Sequence, residues 1–139
     1  MAQNDSSIGY IGNIETATLD NPHFREALFT GNNLQMTVMN IPPGGEVGLE
    51  MHDDLDQFLR IESGKATVTL GPAEDQVDET HEVGDDWAII VPGGVWHNVI
   101  NAGDEPLKLY SLYSPPEHPA GTIHETKAES DAAEAEHHH

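Results

Sequence analysis

The chain has 139 residues and no cysteine. That is enough for one domain with its own core and too few for two, and it excludes disulfides, thiolate metal sites and cysteine nucleophiles. It carries 25 acidic against 5 basic side chains, a formal net charge of −20, and residues 1–116 alone hold 19 acids and 4 bases, so the whole surface is acidic and excludes nucleic acid and anionic membrane as natural partners.

No apolar run approaches the length of a membrane span. The opening MAQNDSSIGYIG lacks the basic and apolar regions of a secretory signal, so a cytoplasmic location is expected. Lysine is nearly missing, as on the self-repelling surfaces of proteins from salt-accumulating cells, and a haloarchaeon-like source is the expectation. Residues 1–20 are mixed and polar and read as an N-terminal arm, with a lead-in strand around Ile8–Ile14. NPHFREALFTG reads as a short helical turn or an edge strand. LQMTVMNI (34–41) alternates and stops at Pro42-Pro43-Gly44-Gly45, a strand followed by a turn. EVGLEMH, QFLRIESG and KATVTLG read as the next strands. GPAEDQVDETHEVGDD is an acidic loop or hairpin. WAIIVP, VWHNVINAGD and PLKLYSLYSPP complete the run. Short strands separated by Gly/Pro turns predict an all-β antiparallel sandwich or barrel over residues 21–116. Residues 117–139 change character: PPEHPAGTIH is a proline-rich connection, and ESDAAEAE is a frayed helix or disordered. The terminal His137, His138 and His139 read as the start of a purification tag.

Chemistry concentrates in two stretches, PPGGEVGLEMHDDLDQFLRIESG and VPGGVWHNVIN, which place polar side chains inside apolar strand patterns. Successive strand residues face opposite sides. Glu46, Gly48, Glu50 and His52 therefore share a face, as do Gln57, Leu59 and Ile61, and likewise His97, Val99 and Asn101. If the three faces look into one barrel, Glu50, His52, Gln57 and His97 converge. Two imidazoles and a carboxylate with open positions suit a divalent transition metal: non-haem Fe, or Mn, Ni, Co or Zn. Gln57 offers an amide oxygen as a weaker fourth ligand. Without metal, the same residues would form a hydrogen-bonded polar pocket for water or a small organic ligand. Trp96, Phe58 and Arg60 face away. Met36, Leu59, Val99 and Tyr113 are candidate pocket-lining residues, with core packing as the alternative. His23, His81, His118 and His124 sit in polar contexts and read as solvated, with His118 and His124 alternatively part of a lid.

The two stretches resemble the paired motifs of the cupin superfamily. Against the first, G-x5-H-x-H-x3,4-E-x6-G, the chain has Gly44, Glu50 in place of the first His, His52, Gln57 in place of the Glu, and Gly64. Against the second, G-x5-P-x-G-x2-H-x3-N, it has Pro92, Gly94, His97 and Asn101, with Asp86 at the opening position and Gly84 nearby. The resemblance implies a jelly-roll β-barrel with a metal site inside, and a homodimer. Small cupins of this kind often carry a mannose-6-phosphate isomerase-like label.

Two function classes follow. One is a metal-dependent enzyme on a small organic molecule: a dioxygenase or related oxidoreductase, or a sugar isomerase or epimerase. Phosphosugar sites want Lys or Arg; Arg25 and Arg60 are the main candidates here, which ranks the isomerase second. The other class is a non-catalytic small-molecule binder. No helix-turn-helix or basic region accompanies it, so a transcriptional role within this chain is not expected.

Overall fold

A computed structural model describes residues 4–137. The elements, in chain order, are α1 (Ile14–Asp20), β1 (Arg25–Thr30), β2 (Gln35–Ile41), β3 (Asp56–Ser63), β4 (Ala66–Gly71), β5 (Glu79–Val83), β6 (Ala88–Val91), β7 (Trp96–Asn101), β8 (Leu107–Ser114), β9 (Ile123–His124) and α2 (Lys127–His137). All strand pairings are antiparallel. One sheet runs β6-β3-β8-β2-β1-β9 and the other β5-β4-β7. The fold is a cupin-type jelly roll, as the motifs implied. No helix among the described residues is long and apolar enough to cross a membrane.

Cross-strand registers explain why one end of the interior is apolar and the other polar. Ile61 and Met39 both pair with Leu109, and Ile41 pairs with Leu107. These join Val68 and Val99 in the buried core, where each fully buried Leu or Ile stabilises the fold by about 1.5–3 kcal/mol. The next row toward the other end is Leu59, Ser111 and Thr37; the row after it is Gln57, Tyr113 and Gln35. The inward face thus grades from aliphatic to polar within three residue pairs.

Two expected strands differ. Residues around Ile8–Ile14 form no strand; the arm instead runs into α1, whose N-cap Asn13 accepts from Thr16 N–H. Seven residues are too few for an isolated helix. This one is held by burial of Ala17 and Thr18 and by Lys108 Nζ, which donates to the Leu19 carbonyl. EVGLEMH runs beside β7 but makes only isolated bridges, Glu46 with Ile100 and Glu50 with His97. Between these bridges three residues on one side face two on the other, so the segment carries one extra residue, a β-bulge. Gly48 absorbs it with a φ of +105°, a conformation that L side chains rarely adopt. Its N–H leaves the ladder and donates to Asn98 Oδ1.

Candidate metal centre

The bulge decides which side chains enter the barrel. Glu46 was expected on the face of Glu50, but it accepts from Asn98 Nδ2 at 2.8 Å, and Asn98 alternates with His97 on β7. The extra residue turns Glu46 out and leaves Glu50 paired to His97 by reciprocal backbone hydrogen bonds of 3.0 and 2.9 Å. His52 is delivered by the following loop. The Pro92–Val95 turn docks on that loop, with Gly94 N–H donating to the His52 carbonyl at 2.7 Å. Gly93 permits the approach: a Cβ there would meet the Leu55 carbonyl oxygen at 3.0 Å.

Glu50, His52 and His97 come together, each offering one ligand atom within 4.8 Å of the others. Glu50 Oε1 lies 3.4 Å from His52 Nε2 and 3.5 Å from His97 Nε2. Neither Nε2 has a hydrogen-bond partner, although both are buried. Leaving such atoms unpaired costs about 1–3 kcal/mol each. His97 Nδ1 contacts the Val95 carbonyl at 3.0 Å; as the donor of that bond, it leaves the Nε2 lone pair facing the cluster. One carboxylate oxygen and two buried, unpartnered imidazole nitrogens are the donor types that divalent transition ions take. The donor set therefore fits a divalent transition ion. Burial alone would raise the Glu50 pKa, but the contacts with His52 and His97 outweigh it and hold the carboxyl well below its usual range. Burial likewise disfavours charge on His52, yet Glu50 chiefly, with Glu117 and Glu134, raises its pKa above the ordinary value.

The other sequence candidates separate. Gln57 is buried on the inner wall. Its Nε2 makes a long 3.4 Å bond to Ser111 Oγ, while its Oε1 is unpartnered. Leu59 and Val99 belong to the apolar core. Tyr113 is 1% exposed and meets the His52 ring edge-on at 6.1 Å; burial first of all pushes its phenol pKa up. Met36 does not line the interior. On β2, Gln35, Thr37 and Met39 take the inward positions, and Met36 lies on the outer face in a row with Phe29 and Leu112.

Sequence reasoning missed Glu117, whose Oε2 lies 3.5 Å from His52 Nδ1. Buried Gln35 fixes that segment, its Oε1 accepting from the Glu117 and His118 N–H groups. His118 and His124, expected to be solvated from their polar context, are instead packed against the protein. His124 is 9% exposed and the His118 ring packs edge-on against Tyr113 at 5.3 Å. The density of His and Glu after Pro116 was the available signal, but it has no strand period to orient it.

The Cupin domain family matches residues 37–113. The protein YrkC of Bacillus subtilis is 53% identical over 125 residues, covering 90% of this chain and 67% of YrkC. The crystal structure of BH2720 from Bacillus halodurans superposes with a TM-score of 0.90 at 50% identity, covering 93% of this chain and 98% of that one. Oxalate decarboxylase of Bacillus subtilis, a protein with Mn(II) centres, aligns with a TM-score of 0.57 at 23% identity. The alignment covers 63% of this chain and 23% of that one, a likeness of fold alone.

Proposed function

The chain belongs to the cupin family, and on that premise we propose that it is a metal-dependent enzyme acting on a small organic molecule, of the dioxygenase or related oxidoreductase type. The observation that carries this reading is the convergence of Glu50, His52 and His97 with both Nε2 atoms buried and unpartnered. Glu50, His52 and His97 would hold the ion, with Gln57 as a further oxygen donor. Such an ion supplies Lewis acidity or redox chemistry at its open positions. Around it, Glu117 steadies His52, and Tyr113, kept protonated by burial, stays a hydrogen-bond donor rather than a charged base. The Mn(II) centres of the structurally similar oxalate decarboxylase support the same fold as a metal host. A cytoplasmic setting is part of this reading.

The test is metal content in protein freed of His137–His139, which can themselves bind metal. We expect close to one transition ion per chain, and its loss in the Glu50→Ala, His97→Ala double variant. A metal-free native protein whose double variant folds and binds the same small molecule would sink the proposal. Oxygen uptake on a panel of diketones, catechols and thiols separates dioxygenase chemistry from isomerisation, which consumes no oxygen. We also propose a homodimer: the edge strand β6 leaves Ile90 65% exposed, and the turn before it leaves Trp87 55% exposed. Sedimentation at micromolar concentration decides it.

A further inference from the structure

The segment that brings Glu117 to His52 is not a strand; residues 117 and 118 lie in the connection between β8 and β9. One side chain fixes it. Gln35 opens β2 and is fully buried. A primary amide has two N–H donors and an oxygen with two lone pairs, and here all four are used. Oε1 accepts from the Glu117 N–H at 3.1 Å and the His118 N–H at 3.0 Å. Nε2 donates to the His118 carbonyl at 2.7 Å and to Thr30 Oγ1 at 2.9 Å. The opposite amide orientation would set NH2 against two N–H groups. His118 thus receives from one side chain both the acceptor and the donor that a neighbouring strand would supply.

Position matters at this wall. Glu117 Oε2 lies 3.5 Å from His52 Nδ1, at the outer limit of a hydrogen bond, so a wall displaced outward by about 1 Å loses the contact. Gln35 is also the cross-strand partner of Tyr113. The Tyr113 ring meets His52 edge-on at 6.1 Å and His118 edge-on at 5.3 Å. The amide therefore ties the wall to the same residue that backs His52. A buried amide with every bond made is confined to one arrangement, and it passes that arrangement to residues 117 and 118.

We propose that Gln35 is a positioning residue for the metal centre: by gripping the backbone of residues 117 and 118 it sets the Glu117 carboxylate against His52, and through it the aim of His52 at the ion. This role rests on the metal reading above.

A double-mutant cycle tests it. The reading is affinity for Zn2+ and for Mn2+, by competition with a chromophoric chelator, on protein freed of His137–His139. Gln35→Met keeps the side chain's length and removes all four bonds. It should weaken metal binding about tenfold in the wild-type background, as loss of a group supporting a ligand does, and by less than about twofold in Glu117→Ala. Equal losses in both backgrounds would make Gln35 a structural residue only, and wild-type affinity in Gln35→Met removes the role outright. Hydrogen exchange reads the grip without metal. The Glu117 and His118 amides should exchange at least about 100-fold more slowly than free peptide in the wild type, and unprotected amides there overturn the proposal. If Gln35→Met does not fold, Thr30→Val, which takes away one of the two acceptors orienting the NH2 group, should give a smaller loss with the same dependence on Glu117; wild-type affinity in it overturns the role. A wild-type protein that binds neither ion removes the metal reading and this role with it. A wild type that binds metal and protects both amides, beside a Gln35→Met of equal affinity, removes this inference alone.

Discussion

Glu117 reaches His52 from outside both motif stretches. A carboxylate on the far nitrogen of a ligating imidazole fixes its tautomer and orientation, and removing it typically weakens metal binding about 10–100-fold. Glu117→Ala should do so here, measured by competition with a chromophoric chelator, and Glu117→Gln, which still accepts a hydrogen bond, should recover part of the loss. Equal affinity in all three proteins would show that the 3.5 Å contact has no role in holding the ion. Glu50, His52 and His97 were legible in the sequence because motif spacing marks all three, while strand parity orients only His97 within a regular strand. Glu117 was not, since it follows Pro115-Pro116 on a non-repetitive segment where parity says nothing. Met36 was misplaced because nothing in an alternating strand such as QMTVMNI says which parity faces in. Gln35 and Thr37, polar yet inward, look like surface residues on paper.

The C-terminal segment shows the same limit at the level of elements. Its polar composition read as solvated or frayed, but β9 adds to the large sheet and α2 buries Ser130 against Arg25. That docking holds His118 and His124 neutral. Burial is the larger cause and Arg25 the next, against the opposing pull of Glu50 on His118 and of Glu129 and Glu134 on His124. The sign follows. His118 falls from an ordinary 6.5 to about 3 when folded, so between those values the undocked segment binds more protons. Docking is at full strength above about pH 6.5 and weakens as pH falls toward 3, by at most about 1.4 kcal/mol per pH unit for each ring. Hydrogen exchange of amides 117–134, corrected for intrinsic rates, should show lower protection at pH 5 than at pH 7. Equal protection would mean that the rings titrate without leaving their packing.

At the scale of the molecule, the fold class was legible because two motifs agreed in order and spacing, while charge carries a separate message. A net −20 on 139 residues is self-repulsion that added salt screens, with a Debye length falling from about 10 Å at 0.1 M to 3 Å at 1 M. The melting temperature should rise by several degrees between 0.1 and 2 M KCl. A flat or falling curve would show that the surface charge is already locally compensated, and would remove the support for a salt-accumulating source.

The bulge at Gly48 gives the site an unusual dependence. Glu46 and Glu50 are the same amino acid four positions apart, yet one faces Asn98 and the other His97. What distinguishes them is a count, one residue more than the neighbouring strand requires. The centre is thus written partly in chain length: a one-residue deletion that kept every ligand would still misaddress them, and relatives should be judged by spacing across this segment before their side chains are compared.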